Sequence, residues 1–187
     1  MDQRRLVERA RGGDHDAFSE LARAAVVRLD RAARLILRDP ELARDAVQDA
    51  LIRAWRDLPK LRDPDRFDAW LRRLTVNSCI DQTRRRRRRL IEVELEPTHA
   101  PTVSDSATAH ADRDQVDRVL RSLDAHGRAI VVLHYFIGMP LTDVSSTLGI
   151  PVGTVKSRLH RALTEMRVEI EPGPGVPPSR IAEGELA

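Results

Sequence analysis

Aromatic side chains make up only 3% of the 187 residues, and cysteine occurs once, as Cys79. One cysteine cannot close an internal disulfide, and the absence of any Cys/His cluster leaves no metal site and no expected cofactor. Its neighbours Val76 and Ile80 look buried, so Cys79 reads as a packed core thiol rather than a redox sensor. Long apolar runs are also missing. The longest, Ala129 to Gly138, is broken by His134 and falls short of the ~20 residues a spanning helix needs. The opening MDQRRLVERARGGD has no apolar stretch behind its arginines, which argues against a secretory signal and for a cytoplasmic location. No segment alternates with period two for long enough to argue a sheet. No nucleophile and base pair, phosphate loop or ligand cluster stands out, so the chain does not read as an enzyme.

Charge and helical periodicity are what remain. Charged residues are 33% and hydrophobic ones 41%, a balance suited to amphipathic helices. The net charge is only +3, yet Lys and Arg number 23 against 15 Asp and Glu over residues 1–91. They number 2 against 7 over residues 92–118, 6 against 5 over 119–171, and 1 against 2 over 172–187. A basic first half followed by an acidic segment points to a polyanion partner.

Leu6, Val7 and Ala10, then Ala17, Phe18, Leu21, Ala24 and Ala25, recur at three and four residues, with Gly12-Gly13 as the break and Asp14 or Asp16 as a cap. A third helix starts after Asp39-Pro40 and turns Leu42, Ala46, Leu51, Ala54 and Trp55 to a core. A fourth runs from about Phe67 through Trp70, Leu71, Leu74 and Ile80 into the arginines at 84–89. Both tryptophans, Trp55 and Trp70, occupy apolar helical positions and read as core. The spacing therefore predicts an all-α chain of two small helical domains, 1–91 and 114–171. A flexible acidic linker, 92–113, joins them, and a disordered tail, 172–187, follows. In the second domain the apolar period returns at Val116, Val119, Leu120 and Leu123, then at Ile130, Val131, Leu133 and Phe136.

Within 114–171 the stretch GIPVGTVKSRLHR is distinctive. Leu141, Val144 and Leu148 form one stripe on a short helix, and Gly149 supplies the left-handed turn. Pro151 and Gly153 prolong the break, and Thr154 opens the next helix. There Val155, Leu159, Ala162, Leu163 and Met166 share one face. The opposite face is centred on Ser157, His160, Arg161 and Thr164, with Lys156 and Arg158 on its flanks. Small polar and basic side chains on the outside of a sharply turned second helix match a DNA-reading helix-turn-helix, the alternative being a helical hairpin with a solvated basic face.

GIPVGTVKSRLHRAL resembles the second half of region four in bacterial sigma factors of the extracytoplasmic-function group, two-domain members of the sigma-70 family. DAVQDALIRAW, from Asp45, is similar to that family's region-two segment that binds core RNA polymerase. FDAWLRRLTVNSCID, from Phe67, resembles the helix that handles the minus-ten promoter element. The resemblance implies an initiation factor with no catalytic residues, which docks on core RNA polymerase, reads promoter DNA and answers to an anti-sigma factor. Its departure from the family pattern is Pro140-Leu141-Thr142-Asp143, where Ser, an aromatic and two acids usually open the first helix of the motif.

Physical chemistry can be set beside each implied site. Asp45, Gln48 and Asp49 fall at i, i+3 and i+4 and share one helix face, an acidic patch for a polymerase arginine or else a solvated surface. Arg84, Arg85 and Arg86 begin a run suited to promoter phosphates, with a nonspecific anchor or nuclear signal as alternatives. Arg72, Arg73 and Asn77 are candidates for the opened strand, although Asn77 equally suits a helix brace. Thr154, Lys156, Ser157, Arg158, His160 and Arg161 are the candidates for the minus-thirty-five element. The loop near Leu61 to Arg66 matches the family's flipped-base pocket. Glu92, Glu94 and Glu96 fit either a phosphate mimic in a polymerase channel or a plain spacer. A helix-turn-helix regulator that never docks on polymerase is the competing reading.

Overall fold

The computed structural model describes residues 2–93 and 111–170, and among them it has eight α-helices and no strand. Helices α1 (Gln3–Arg11), α2 (His15–Leu37) and α3 (Pro40–Asp57) each follow an aspartate. Asp2 accepts from the Arg4 amide at 3.3 Å, Asp14 from Asp16 and Ala17 at 3.0 Å, and Asp39 from Glu41 and Leu42 at 3.1 Å. These carboxylates satisfy donors that a helix start leaves without partners. Of the two predicted caps, Asp14 takes the role, and its bonds to the Ala17 amide and Arg9 hold its pKa below the ordinary value. Pro40 sits at the first helical position, where its missing N–H is no loss.

Two single 3-10 turns, Leu58–Lys60 and Pro64–Arg66, lead into α4 (Phe67–Val93). Then come α5 (Ala111–Ser122), α6 (Ala125–Val131), a π turn (Val132–Phe136), α7 (Leu141–Leu148) and α8 (Val152–Ile170). Helix α4 runs into the segment predicted as linker, and α5 begins before residue 114. Residues 94–110 of that linker, with Glu94 and Glu96, and the tail 172–187 lie outside the described residues.

Helices α1 to α4 pack around Leu21, Leu29 and Ile36 of α2, a run of alanines on α3 and Phe67, Leu71, Val76 and Cys79 of α4. Ala43, Ala46, Ala50 and Ala54 are all fully buried, so α3 meets its neighbours through methyl groups, which lets helix axes approach to the low end of the usual ~8–10 Å. Full burial of a side chain such as Phe67 contributes ~1.5–3 kcal/mol. The buried Thr75 hydroxyl donates to the Leu71 carbonyl at 3.0 Å and is thereby satisfied. Helices α5 to α8 enclose Leu120, Leu123, Ile130, Leu133, Val144, Val155 and Leu159. The two groups touch: α6 and α7 lie against α4, and α6 and the π turn lie against α2.

Several sequence expectations are corrected. Phe136 and Val116 are 54% and 55% exposed rather than core. In the π turn the Ile137 amide donates to the Val132 carbonyl, five residues back, so the apolar phase set by Ile130 and Leu133 is lost before Phe136. Trp55 is half-buried, while Trp70, also half-buried, packs against the core as expected. Trp55 stacks on His15 and Phe18 with ring centroids 4.2 and 5.1 Å away.

Burial pushes the Cys79 thiol up to about 12, so almost no thiolate forms near neutral pH. Cys79 should resist alkylation by iodoacetamide at about pH 8 in the native chain and react fully in denaturant. Mass spectrometry before and after unfolding checks this, and equal labelling in both states would contradict the packed arrangement.

Candidate nucleic-acid interface

The turn between α7 and α8 rests on Gly149, whose φ of 66° is left-handed. Its amide and that of Ile150 both donate to the Ser145 carbonyl, at 2.9 and 3.2 Å. The Ser145 hydroxyl donates to the Ile150 carbonyl at 2.6 Å, so one small residue ties both sides of the turn. Helix α8 opens at Val152, two residues before the predicted start, because the Pro151 carbonyl accepts the amides of Thr154 and Val155 at 2.9 and 3.0 Å. Gly153 therefore lies inside the first turn and is not a breaker.

Val155, Leu159 and Ala162 are buried, while Lys156, Ser157, His160 and Arg161 are exposed and Thr154 and Arg158 are half-exposed. The six proposed base-reading residues thus share the side of α8 that faces away from the core. Ser157 and Thr164 turn their hydroxyls back to the carbonyls of Thr154 and His160, at 3.1 and 3.0 Å. Arg161 pairs with Asp124 at 3.7 Å and Glu165 at 3.4 Å, which stores it on the helix surface in the absence of phosphate. Exposed pairs of this kind are worth ~0–1 kcal/mol and exchange readily for a polyanion.

Helix α4 carries the second basic surface. Arg73, Arg84 and Arg85 are exposed. Arg84 lies 3.9 Å from Asp81, and Arg86 reaches Asp39, the cap of α3, at 3.5 Å. That tie for Arg86 was not foreseen from the sequence. Arg72 is different again: its Nε is buried without a hydrogen-bond partner, and its side chain lines a cavity of about 290 Å³ beside Leu29, Leu71, Phe136 and Ile137. The contact between the two helix groups thus encloses the Nε of the half-buried Arg72, while Arg73 remains open. Asn77 is half-buried, and Arg72, Arg73 and Asn77 do not form one surface.

On α3, Asp45 and Gln48 are exposed and Asp49 half-exposed, on the side away from the alanine ridge. Ile52, one turn further at i+7 from Asp45, is 57% exposed and extends that face with an apolar side chain. An isoleucine at helical spacing reads as core, which is why sequence reasoning passed it by. Among the described residues no cluster of His, Cys, Asp or Glu could hold a metal ion, and no helix is long and apolar enough to cross a membrane.

Two measurements test this geometry. Gly149→Ala should lower stability by about 1 kcal/mol, since nothing lies within 4 Å of the added Cβ and the cost is left-handed backbone alone; denaturant titration reads it, and an unchanged midpoint would remove the turn from the account. His126 lies beside α8, where burial and then the Arg158 charge hold its pKa below 6.5 against the opposing pull of Asp124. The unfolded chain therefore takes up this proton first, so the stability conferred by the neutral ring is full above pH 6.5 and is lost as pH falls toward the depressed folded value. Between about pH 7.5 and 5.5 the native chain should lose more stability than His126→Gln, and parallel curves would exclude the effect.

Comparison with known proteins identifies the family. The Sigma-70 region 2 family matches residues 21–89, and the Sigma-70, region 4 family matches residues 113–166. The RNA polymerase sigma-E factor of Streptomyces avermitilis is 37% identical over 154 residues, covering 82% of this chain and 85% of that relative. The ECF RNA polymerase sigma factor SigM of Mycobacterium tuberculosis is 37% identical over 155 residues, 80% of this chain and 75% of that one. Among solved structures, CnrH in complex with the cytosolic domain of CnrY superposes with a TM-score of 0.64 at 30% identity over 90% of this chain and 96% of that one. RpoE in complex with the anti-sigma factor NepR from Bartonella quintana shares the fold, with a TM-score of 0.67 at 23% identity over 82% and 96%. A chain 37% identical to a sigma factor across four-fifths of its length, and matched by both sigma regions, belongs to the sigma-70 family, in its extracytoplasmic-function group.

Proposed function

We propose that this protein binds core RNA polymerase and directs it to specific promoters. Residues 1–91 serve as the polymerase-docking and minus-ten half, and residues 114–171 as the minus-thirty-five half. The observation that carries the reading is α8, an exposed polar and basic face behind a glycine turn with its apolar face locked into the core. In that role Lys156, Ser157, Arg158, His160 and Arg161 enter the major groove, with Thr154 at the entrance. Arg84, Arg85 and Arg86 hold promoter phosphates, Arg73 with Asn77 one turn on meets the opened strand while Arg72 stays in the contact between the helix groups, and the loop Leu61 to Arg66 receives an unstacked base. Asp45, Gln48 and Asp49, joined by Ile52, dock on the polymerase. The work is binding and strand separation in the cytoplasm, and the polymerase forms the bonds. An anti-sigma partner belongs to the same reading through family resemblance.

Promoter spacing sets a geometric demand. Two elements named for positions minus thirty-five and minus ten lie about 25 base pairs apart, about 85 Å of duplex at ~3.4 Å per base pair. Helix α4 touches α7, and α7 touches α8, so where they meet the axes of α4 and α8 lie within about 20 Å at ~8–10 Å per contact. In this packed arrangement the chain reads one element at a time, and the halves part before both are held.

Run-off transcription with core polymerase on promoter fragments tests the assignment. Asp45→Arg with Asp49→Arg should reduce start-site-specific transcripts by at least about tenfold, the effect of a ~1.4 kcal/mol loss at the docking face, with duplex binding unchanged. If the folded native chain binds duplex DNA yet neither binds core nor yields transcripts, a regulator independent of polymerase replaces this reading.

A further inference from the structure

Helix α1 lies ahead of residue 21, where the region-two family match begins, and no role attaches to it there. Its buried stripe, Leu6, Val7 and Ala10, does not face α2 alone. Helix α1 also packs against both one-turn 3-10 helices between α3 and α4. Those turns are weak structures in themselves. One is closed by the Leu61 amide on the Leu58 carbonyl at 3.0 Å, the other by the Arg66 amide on the Asp63 carbonyl at 3.1 Å. The second gains the Asp63 cap on the Asp65 amide at 3.1 Å and the Phe67 amide on the Pro64 carbonyl, where α4 begins. Isolated three-residue 3-10 turns do not hold a fixed shape in water.

What fixes them is their inner side. Leu58, Leu61 and Pro64 are buried, and Arg62, Asp63, Asp65 and Arg66 form the outer rim. At that rim the Arg4 guanidinium meets the Asp65 carboxylate, Nη1 to Oδ2 at 3.0 Å, joining residues 61 positions apart. Arg4 is itself aligned by Glu8 one turn on, Nε to Oε1 at 3.3 Å. The loop is thus walled by α1 on one side and α4 on the other, with a charged tie at its edge.

We propose that α1 is the positioning element of the 58–66 loop and Arg4 a positioning residue, together holding the loop's polar rim in the shape that receives an unstacked promoter base. The inference rests on the sigma-factor reading for the use of the loop, but not for its bracing. A loop ordered beforehand meets the extruded base without first losing its own conformational entropy, so disorder there slows opening and leaves docking untouched.

Two readouts separate the claims. Amide hydrogen exchange at Leu61 and Arg66 in the free chain reports the brace, and fluorescence of 2-aminopurine placed in the minus-ten element, with core polymerase, reports opening. Deleting residues 1–12 should abolish protection at both amides and slow opening at least about tenfold, with core affinity kept within about twofold. Should the deletion fail to fold, the charge pair decides. Arg4→Glu should speed exchange at Arg66 and slow opening by about two- to fivefold, the range of an exposed ion pair. Asp65→Arg should speed the same exchange, and the double variant Arg4→Glu with Asp65→Arg should restore it. Unchanged exchange in Arg4→Glu, or no restoration in the double variant, overturns the role of Arg4. Faster exchange with opening at the native rate overturns the use of the brace. If the native chain opens no promoter with core, the sigma-factor reading falls, and exchange still shows whether α1 holds the loop.

Discussion

Aspartate at the start of a helix is the interaction on which this architecture depends. Asp2, Asp14, Asp39, Asp63 and Asp124 each accept a backbone amide one half-turn or more ahead, opening α1, α2, α3, the second 3-10 turn and α6. In a chain with few aromatics and many alanines, core volume alone discriminates poorly between helical registers. A fixed first residue settles which side chains point inward, since every later position follows at ~100° per residue. Some of the same carboxylates also meet arginines: Asp14 pairs with Arg9, Asp39 with Arg86 and Asp124 with Arg161. Local folding signals and the restraint of basic surface are thus drawn from one set of residues.

That double use shapes the electrostatics. The arginines of α4 and α8 do not all stand free in the absence of a partner, because Arg84, Arg86 and Arg161 each have a carboxylate within 4 Å. A phosphate must displace these neighbours, which lowers affinity for any single phosphate and leaves more of the discrimination to groups with fixed geometry. On α8 the fixed element is the turn, where Gly149 and Ser145 set the angle at which the exposed face departs from α7.

Much of this was legible in the sequence. Asp39-Pro40 marked the start of α3, Gly12-Gly13 separated α1 from α2, and Gly149 marked the turn, because each acts through its own backbone. The exposed side of α8 followed from periodicity once Val155, Leu159 and Ala162 were taken as core. Features set by tertiary context were not legible. Gly153 read as a breaker, but a first-turn glycine whose neighbours bond to the Pro151 carbonyl does not interrupt a helix. Phe136 read as core because nothing local announces a π turn. The enclosure of the Arg72 Nε and the tie between Arg86 and Asp39 require two elements to meet, and the exposure of Ile52 requires that none does at that point.

The alanine ridge on α3 has a mechanical side. Longer side chains between two helices act as springs, since each can change rotamer and absorb a displacement before the backbone yields. Alanine has no such freedom, and Ala43, Ala46, Ala50 and Ala54 are all fully buried on α3. The α3 side of these contacts therefore has no rotamer slack, and any give comes from the larger side chains of α2 and α4. Stiffness on the α3 side comes from the smallest side chain able to occupy a core.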